Sequence, residues 1–380
     1  MAGPLSGLRV VEIAGIGPGP FAGMMLADAG ADVIRVDRPD GAPMVSGPTD
    51  VVGRGRRSIS VDLKRRAGVE VVLRLAERAE VLFEGFRPGV AERLGIGPEA
   101  CLTRNPALVY GRMTGWGQDG PLAQAAGHDI AYIALAGALH LIGRPDAPPP
   151  PPVNIVGDYG GGGMLLAFGI VCAVLEARRT GRGQVVDAAV VDGTALLTAL
   201  FHGLRAAGRW SEVREANLLD GGPPFYRSYE CADGRYVAVG ALEPRFSAEL
   251  LDRLGVAPDD DLRQRWYDPA AWPELRNLMA DIFRKRTREE WSVLLEGTDA
   301  CVAPVLSLGE APGHPHNVAR GTFTKVAGVV QPSPAPRFSA TPSSICGAAP
   351  AAGQHADEIL RECGYGDVDI ADLRRDGAVG

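Results

Sequence analysis

The first forty residues restrict the fold more than any other stretch. Residues 8–14 form a largely apolar, β-branched run that reads as a strand and ends in GIGPGP. Residues 21–29 carry apolar side chains at helical spacing, Gly30 closes them, and residues 32–36 read as a second strand. Strand, glycine-rich turn, helix and strand make a βαβ unit, whose crossover lays the two strands parallel in one sheet. The pattern continues with strands at 59–63, 81–84 and 108–113 and a helix at 69–78. The first half is therefore α/β, built on a parallel sheet.

A chain of 380 residues more often makes two domains than one. The composition shifts after Asp220: residues 226–239 alternate around Ala232-Asp233-Gly234, a hairpin signal because Asp-Gly accepts the positive φ of a tight turn. Helical segments with Trp272, Leu275, Met279, Trp291 and Leu294 follow, so a smaller α+β domain is expected over 220–330. A proline-rich linker spans 332–336, and 354–363 reads as a terminal helix that returns to the first domain.

A net charge of −7 argues against nucleic acid as the main partner, because polyanion binders carry a basic excess. The six cysteines show no C-x-x-C spacing, so neither a zinc ribbon nor a dithiol redox site is indicated, and reduced thiols in a cytoplasm are expected. The opening MAGPLSGLRVVE has no basic segment leading into an apolar one, so no secretory signal is expected. No uninterrupted apolar run reaches the ~20 residues that span a bilayer, so a soluble protein that avoids membranes is expected.

The middle of the chain carries the chemistry. GHDI places His128 and Asp129 at the start of a helix running through Tyr132, Leu135 and Leu139; a proline-rich loop, 145–152, then leads to GDYGGGG with Asp158. A helix at 164–176, a strand at 184–188 and a helix to about 205 follow. His128 and Asp158 can each carry a proton, and the glycines strip side chains from around Asp158, which suits transfer of one proton from a carbon and another to it. An isolated pair of this kind is more often a helix-start residue and a capping acid. Both precede helices, however, where free N–H groups favour a developing anion, and the amide of Asp129 is the candidate donor to it. His314 and His316 flank a proline and read as surface residues, Asp187 and Asp192 as structural caps.

Two other features compete for function. Gly15, Gly17 and Gly19 with Asp37 resemble a dinucleotide fingerprint, yet Pro20 stands where a third glycine would admit close helix packing, and a tight turn explains the glycines equally well. Arg54, Arg56, Arg57, Lys64, Arg65 and Arg66, with Arg87 and Arg93, form a basic cluster in an acidic chain. Arg38, Lys64 and Arg87 lie at or just past the C-terminal ends of expected strands, where open α/β sheets bind ligands, and this suits a phosphorylated nucleotide.

Read in order, GLRVVEIAGIGPGPFAGMMLADAGADVIRVDRP, VDLK, EGFRPGVAERLG, RMTGWGQDGP, AGHDI, NIVGDYGGGG, GQVVDAAVVDG, DGRYVAVGALEP and GQHADEILRECGYG span nearly the whole chain. In this order they are highly specific: the chain resembles the α-methylacyl-CoA racemases of the family III (CaiB/BaiF-type) CoA-transferase superfamily. The resemblance implies an interlocked homodimer, each chain with a large Rossmann-like domain, 1–215 completed by 335–380, and a small domain at 220–330. It implies an acyl-CoA thioester substrate, CoA being part of the substrate, with no metal and no separate cofactor. Arg38, Val61, Asp62, Leu63, Lys64, Gly85, Phe86, Arg87 and Arg93 fall in the family's nucleotide-contact segments. Gly127, Asp129, Ile130, Ala131 and Tyr132 fall in its substrate-contact segment.

By the same resemblance His128 and Asp158 are the two bases of a 1,1-proton transfer through an enolate. Asp158 is then expected to have a pKa raised by burial, so that it can serve as an acid. Glu243 matches a glutamate that orients or tunes the histidine, and Glu84 is a second candidate for that role. The alternative within the family is a CoA-transferase, in which the residue matching Asp158 forms an acyl anhydride. Two departures bear on specificity: Ala131 replaces an asparagine, and the chain has only seven methionines where relatives line the acyl path with several.

Overall fold

The computed structural model describes residues 3–41 and 45–380. Its strands and helices divide between two compact units, one of residues 1–136, 152–198 and 316–380, the other of residues 137–151 and 199–315.

The first unit is built on six parallel strands: β1 (Arg9–Ile13), β2 (Asp32–Asp37), β3 (Arg57–Ser60), β4 (Val81–Glu84), β5 (Val109–Thr114) and β6 (Val185–Ala189). Their order is β3-β2-β1-β4-β5-β6, so the direction of winding reverses between β1 and β4, the switch point at which such sheets leave a crevice beyond the strand C-termini. The helices are α1 (Pro18–Asp28), α2 (Arg66–Glu77), α3 (Val90–Arg93), α4 (Pro98–Arg104), α5 (Asp129–Leu135), a π-helix (Ile155–Met164) continuing into α6 (Leu165–Thr180), and α7 (Val190–Leu197).

Strand alternation separates two cores. Val11, Ile34, Leu82 and Tyr110 face α2 and the C-terminal helix, whereas Val10, Val33, Phe83 and Val109 face α1 and α6. Both faces of the strands are therefore buried, which is why β1, β2 and β4 read as nearly continuous apolar runs.

The second unit contains α8 (Ala199–Ala206), β7 (Tyr226–Glu230), β8 (Tyr236–Gly240), α9 (Pro244–Arg253), α10 (Asp261–Gln264), α11 (Trp272–Phe283), α12 (Arg288–Leu295) and β9 (Val302–Pro304). The antiparallel sheet β7-β8-β9 packs its buried face on Trp266, Trp272, Leu275, Phe283 and Trp291. Gly234, at φ +71°, makes the expected hairpin turn. After α13 (Pro315–Arg320), the hairpin of β10 (Phe323–Val326) and β11 (Val329–Pro332) lies in the first unit, followed by α14 (Ala356–Glu362) and α15 (Asp367–Arg375).

Several boundaries differ from the sequence reading. The strand expected at 59–63 ends at Ser60, because the amides of Val61 and Asp62 turn to the carbonyls of Asp37 and Ala378. The helix expected to reach Leu139 stops at Leu135, two residues before Gly137 at φ +82°. The single helix expected up to about 205 divides at Thr198 into α7 and α8, and the division between units falls there. The β10–β11 hairpin, which the sequence reading placed in the small domain, is held to the first unit by Arg54, whose guanidinium donates to Gln331 Oε1 and the Pro332 carbonyl, both at 2.8 Å.

The π-helix and α6 together form one helical stretch, Ile155–Thr180, of 26 residues, within which an 18-residue window has mean hydropathy 1.7. By length and composition it could cross a membrane, a feature the sequence reading did not mark. Half of that window is buried inside the fold.

Candidate active site

Two loops and two helix starts meet beyond the strand ends of the first unit. β1 ends in the loop that caps α1, where Gly17 adopts φ +69°; a Cβ there would lie 3.0 Å from Asp158 Oδ2. Asp158 sits in the first turn of the π-helix. Gly161 closes on Thr194, Gly162 on Val190 and Pro18, and Gly163 on the Pro18 carbonyl, so the glycine run lets α7 and α1 approach the backbone that carries Asp158. Long π turns are rare and concentrate at functional sites.

His128 is the N-cap of α5, in extended conformation, and its carbonyl accepts the amides of Ala131 at 2.8 Å and Tyr132 at 3.4 Å. Its imidazole makes no capping bond and is exposed. Asp129 links the two candidate bases: its Oδ1 accepts the backbone N–H of Asp158 at 2.7 Å. Gly157 makes that contact possible, since a Cβ there would meet Asp129 Oδ1 at 2.3 Å. The amide of Asp129 lies in the first turn, where N–H groups have no intrahelical acceptor and face an anion favourably.

The electrostatics follow from this packing. Burial pushes the Asp158 carboxyl above the ordinary aspartate range; the Asn154 amide, at 3.4 Å from Oδ2, opposes this, the Asp129 carboxylate adds to it, and His128 opposes it. The raised direction expected from the sequence is present, and Asp158 keeps its proton to higher pH than a solvated aspartate does.

Tyr132 is half-buried, with Asp158 and Arg87 among the charged groups near it. Its hydroxyl donates to the Gly127 carbonyl at 2.5 Å, and its ring stands edge-on to Trp116 at 4.7 Å, over Gly115 and Gly127, neither of which could carry a Cβ there. Tyr132 thus braces the peptide that precedes His128. Ile130 is exposed and Ala131 half-buried on the same turn.

Among the proposed nucleotide contacts, Arg38, Lys64, Gly85, Arg87 and Arg93 are exposed beyond β2, β3 and β4. Asp62 Oδ1 accepts the Lys64 amide at 2.9 Å and shapes that turn, while Leu63 and Phe86 pack partly against the core. Val61 departs from expectation: its side chain is fully buried in the core and cannot touch a ligand. The basic cluster also divides. Arg54 pairs with Asp28, Arg56 with Glu12, and Arg57 with Asp32 and Glu362, so these three arginines hold the fold.

Asp37, placed where a ribose-binding acid would sit, is engaged by Arg35 at 3.0 Å and by the Ser58 hydroxyl at 2.5 Å. Nothing here favours the dinucleotide reading. Glu84 is likewise committed: it accepts the Phe86 amide at 2.6 Å and pairs with Arg112 at 3.4 Å, so it organises the 85–87 turn rather than tuning His128. Burial raises its pKa to about 7, against the pull of that amide and of Arg112. Glu243 is exposed at the N-cap of α9 in the second unit, whereas His128 belongs to the first. His314, read as a surface residue, is mostly covered and pairs with Glu296 at 2.7 Å.

The sequence reading missed the carboxylate of Asp129 as the link between the bases. Its signal was present in the GHD and GD pairs, but a pairing across thirty residues is visible only when Gly157 and Asp129 come together.

Residues 5–356 match the CoA-transferase family III. The chain belongs to that family. Within it, the chain is 46% identical over 377 residues to the mouse (Mus musculus) protein named alpha-methylacyl-CoA racemase, covering 99% of this chain and 97% of that protein. It is 44% identical over 374 residues to the human (Homo sapiens) protein of the same name, covering 98% and 96%. A CAIB/BAIF family protein from Brucella suis has a similar fold, with a TM-score of 0.82 at 28% identity over 96% of this chain and 100% of the other.

Proposed function

We propose that this family III protein is an α-methylacyl-CoA racemase, interconverting (R)- and (S)-2-methylacyl-CoA thioesters with His128 and Asp158 as the two bases. The observation that carries the assignment of the pair is the Asp129 carboxylate, which accepts the Asp158 amide and so ties the backbone of one base to the helix start of the other. The mouse and human relatives, alike over almost their whole length, support the reaction and substrate class.

In one direction a base takes the α-proton, breaking the C–H bond and leaving a planar enolate on the thioester. The other base, protonated at the start, delivers its proton to the opposite face of the same carbon. One proton is taken and one is given, so no oxidant, reductant or second substrate enters. The raised pKa of Asp158 suits it to begin as the acid when His128 is the base. In this reading the Asp129 amide at the start of α5 is the donor to the enolate oxygen. Arg38, Lys64, Arg87 and Arg93 supply charge for the CoA phosphates, and CoA enters and leaves as part of the substrate with no separate cofactor.

The assembly belongs to the same proposal. Ile155, Met164, Phe168 and Leu175 are all at least half exposed along one helical stretch, apolar surface that an interlocked homodimer would cover. In that assembly Glu243 orients or tunes the histidine, and the working compartment is cytoplasmic.

The test is one incubation with (R)-2-methylacyl-CoA in deuterated water. Exchange of the α-hydrogen with appearance of both epimers is expected, falling at least ~10²-fold in His128→Ala and in Asp158→Ala. Transfer of CoA to an added free acid without exchange would overturn the racemase reading in favour of a transferase.

A further inference from the structure

Glu12 in β1 and Arg56 just before β3 form an ion pair in which neither side chain has any solvent exposure. Neither group takes part in proton transfer. Arg56 Nε donates to Glu12 Oε2 at 2.7 Å, and the same guanidinium donates to the carbonyls of Val52, Pro20 and, at 3.3 Å, Arg54. Glu12 Oε1 is buried without a partner. The pair fits only because residue 23 is glycine: a Cβ there would lie 2.4 Å from Glu12 Oε2 and 2.5 Å from an Arg56 nitrogen.

A buried ion pair with an unpartnered oxygen is a poor way to gain stability, since apolar side chains of similar volume hold a sheet and a helix together at least as well. What such side chains lack is direction. A guanidinium has a rigid fork of donors, and here that fork reaches the carbonyl of Pro20 in the first turn of α1. The same turn meets Asp158 and its neighbours. Gly17 abuts the Asp158 carboxyl, Pro18 closes on Gly162 and Gly163, and Phe21 stacks on Tyr159 with ring centroids 4.4 Å apart and planes 10° from parallel.

We infer that Glu12 and Arg56 are positioning residues for Asp158: they fix the first turn of α1 and, through Gly17, Pro18 and Phe21, the placement of the Asp158 carboxyl at the substrate's α-carbon. This rests on His128 and Asp158 being the proton-handling pair. Small displacements of a reacting group are enough to matter, since about 1 Å can cost ~10²-fold in rate.

The experiment measures racemisation and α-deuterium exchange of (R)-2-methylacyl-CoA, with thermal unfolding, for Glu12→Met/Arg56→Met and for Arg56→Lys. Each is made in the wild-type, His128→Ala and Asp158→Ala backgrounds. The double replacement removes both charges together; it is expected to stay folded and to lose ~10- to 100-fold in kcat with KM within about twofold. Arg56→Lys, which keeps the charge but has fewer donors, falls between it and wild type. In the Asp158→Ala background neither change lowers the residual exchange further, whereas the full loss persists in His128→Ala.

An unchanged kcat in folded protein, or an equal loss in both backgrounds, overturns the inference. If the double replacement fails to fold, the Arg56→Lys comparison across the two backgrounds decides alone. Should Asp158→Ala itself keep the wild-type rate, the proton-pair reading fails and this one with it; inactive Asp158→Ala beside a fully active double replacement removes only this one.

Discussion

The arginines at 54, 56 and 57 and the cations at 38, 64, 87 and 93 come from one sequence neighbourhood and meet opposite fates. The first group is turned inward: Arg54 and Arg56 are almost wholly buried on Asp28 and Glu12, and Arg57 lies among Asp32, Glu358 and Glu362. The second group is exposed beyond the ends of β2, β3 and β4, and among the described residues none of its members has an ion-pair partner. Both groups look alike as charge runs. The difference teaches that a basic cluster keeps charge available for a ligand only where the fold leaves its counter-charges unplaced.

The largest expected effect tests the inward group. Arg54→Ala leaves Asp28 buried and uncompensated and frees the β10–β11 hairpin, so stability should fall by about 3–5 kcal/mol in urea unfolding, with KM for the acyl-CoA unchanged in protein that remains folded. A KM rise without loss of stability would place Arg54 with the outward group.

Glu84 stands beside the outward group but is itself buried, and its pKa sets the next effect. Because the folded protein holds this proton up to about 7 against 4.5 for a free glutamate, the folded state is favoured below 4.5 and that contribution is lost as pH rises through 7. Between those limits wild type should lose roughly 3 kcal/mol of stability that Glu84→Gln, which cannot ionise, does not lose. Parallel stability curves for the two proteins would show Glu84 to be an ordinary ion-pair carboxylate.

Arg87→Ala and Arg93→Ala probe the outward group. Each should raise KM about tenfold, or about 1.4 kcal/mol, in a manner that fades with added salt, and neither should move the unfolding midpoint. Loss of stability in either variant would break the contrast. The smallest effect is expected at Arg57, whose partners are partly solvated: Arg57→Ala should cost about 1 kcal/mol of stability and leave both kcat and KM as they were.

Much of this was legible in the sequence. The βαβ rhythm follows from short-range periodicity, and β4 occupies the four residues the apolar run marked. The hairpin at Asp233-Gly234 follows from the φ requirement of its turn. The placement of His128 and Asp158 at two helix starts was also readable. What was not legible involves partners far apart in the chain. Glu12 reads as one polar residue in a strand until Arg56 arrives 44 positions later. Asp37 reads as a ribose acid until Arg35 and Ser58 engage it. Val61, read as a strand residue that the resemblance puts in a nucleotide-contact segment, is covered by the C-terminal segment, Val379 forming a bridge with it.

By itself the sequence determined the class of the fold, the residue types able to carry protons, and the family to which the chain belongs, because these depend on local periodicity and on motifs in fixed order. Only the tertiary structure decided which of those groups are free to act. A charge acquires its function from what it faces, and the groups faced by Asp158, Arg56 and Glu84 are supplied by other elements of the fold. That is why Asp129 emerges as the tie between the two proposed bases, and why one part of a basic cluster holds the sheet together while the other part stays exposed.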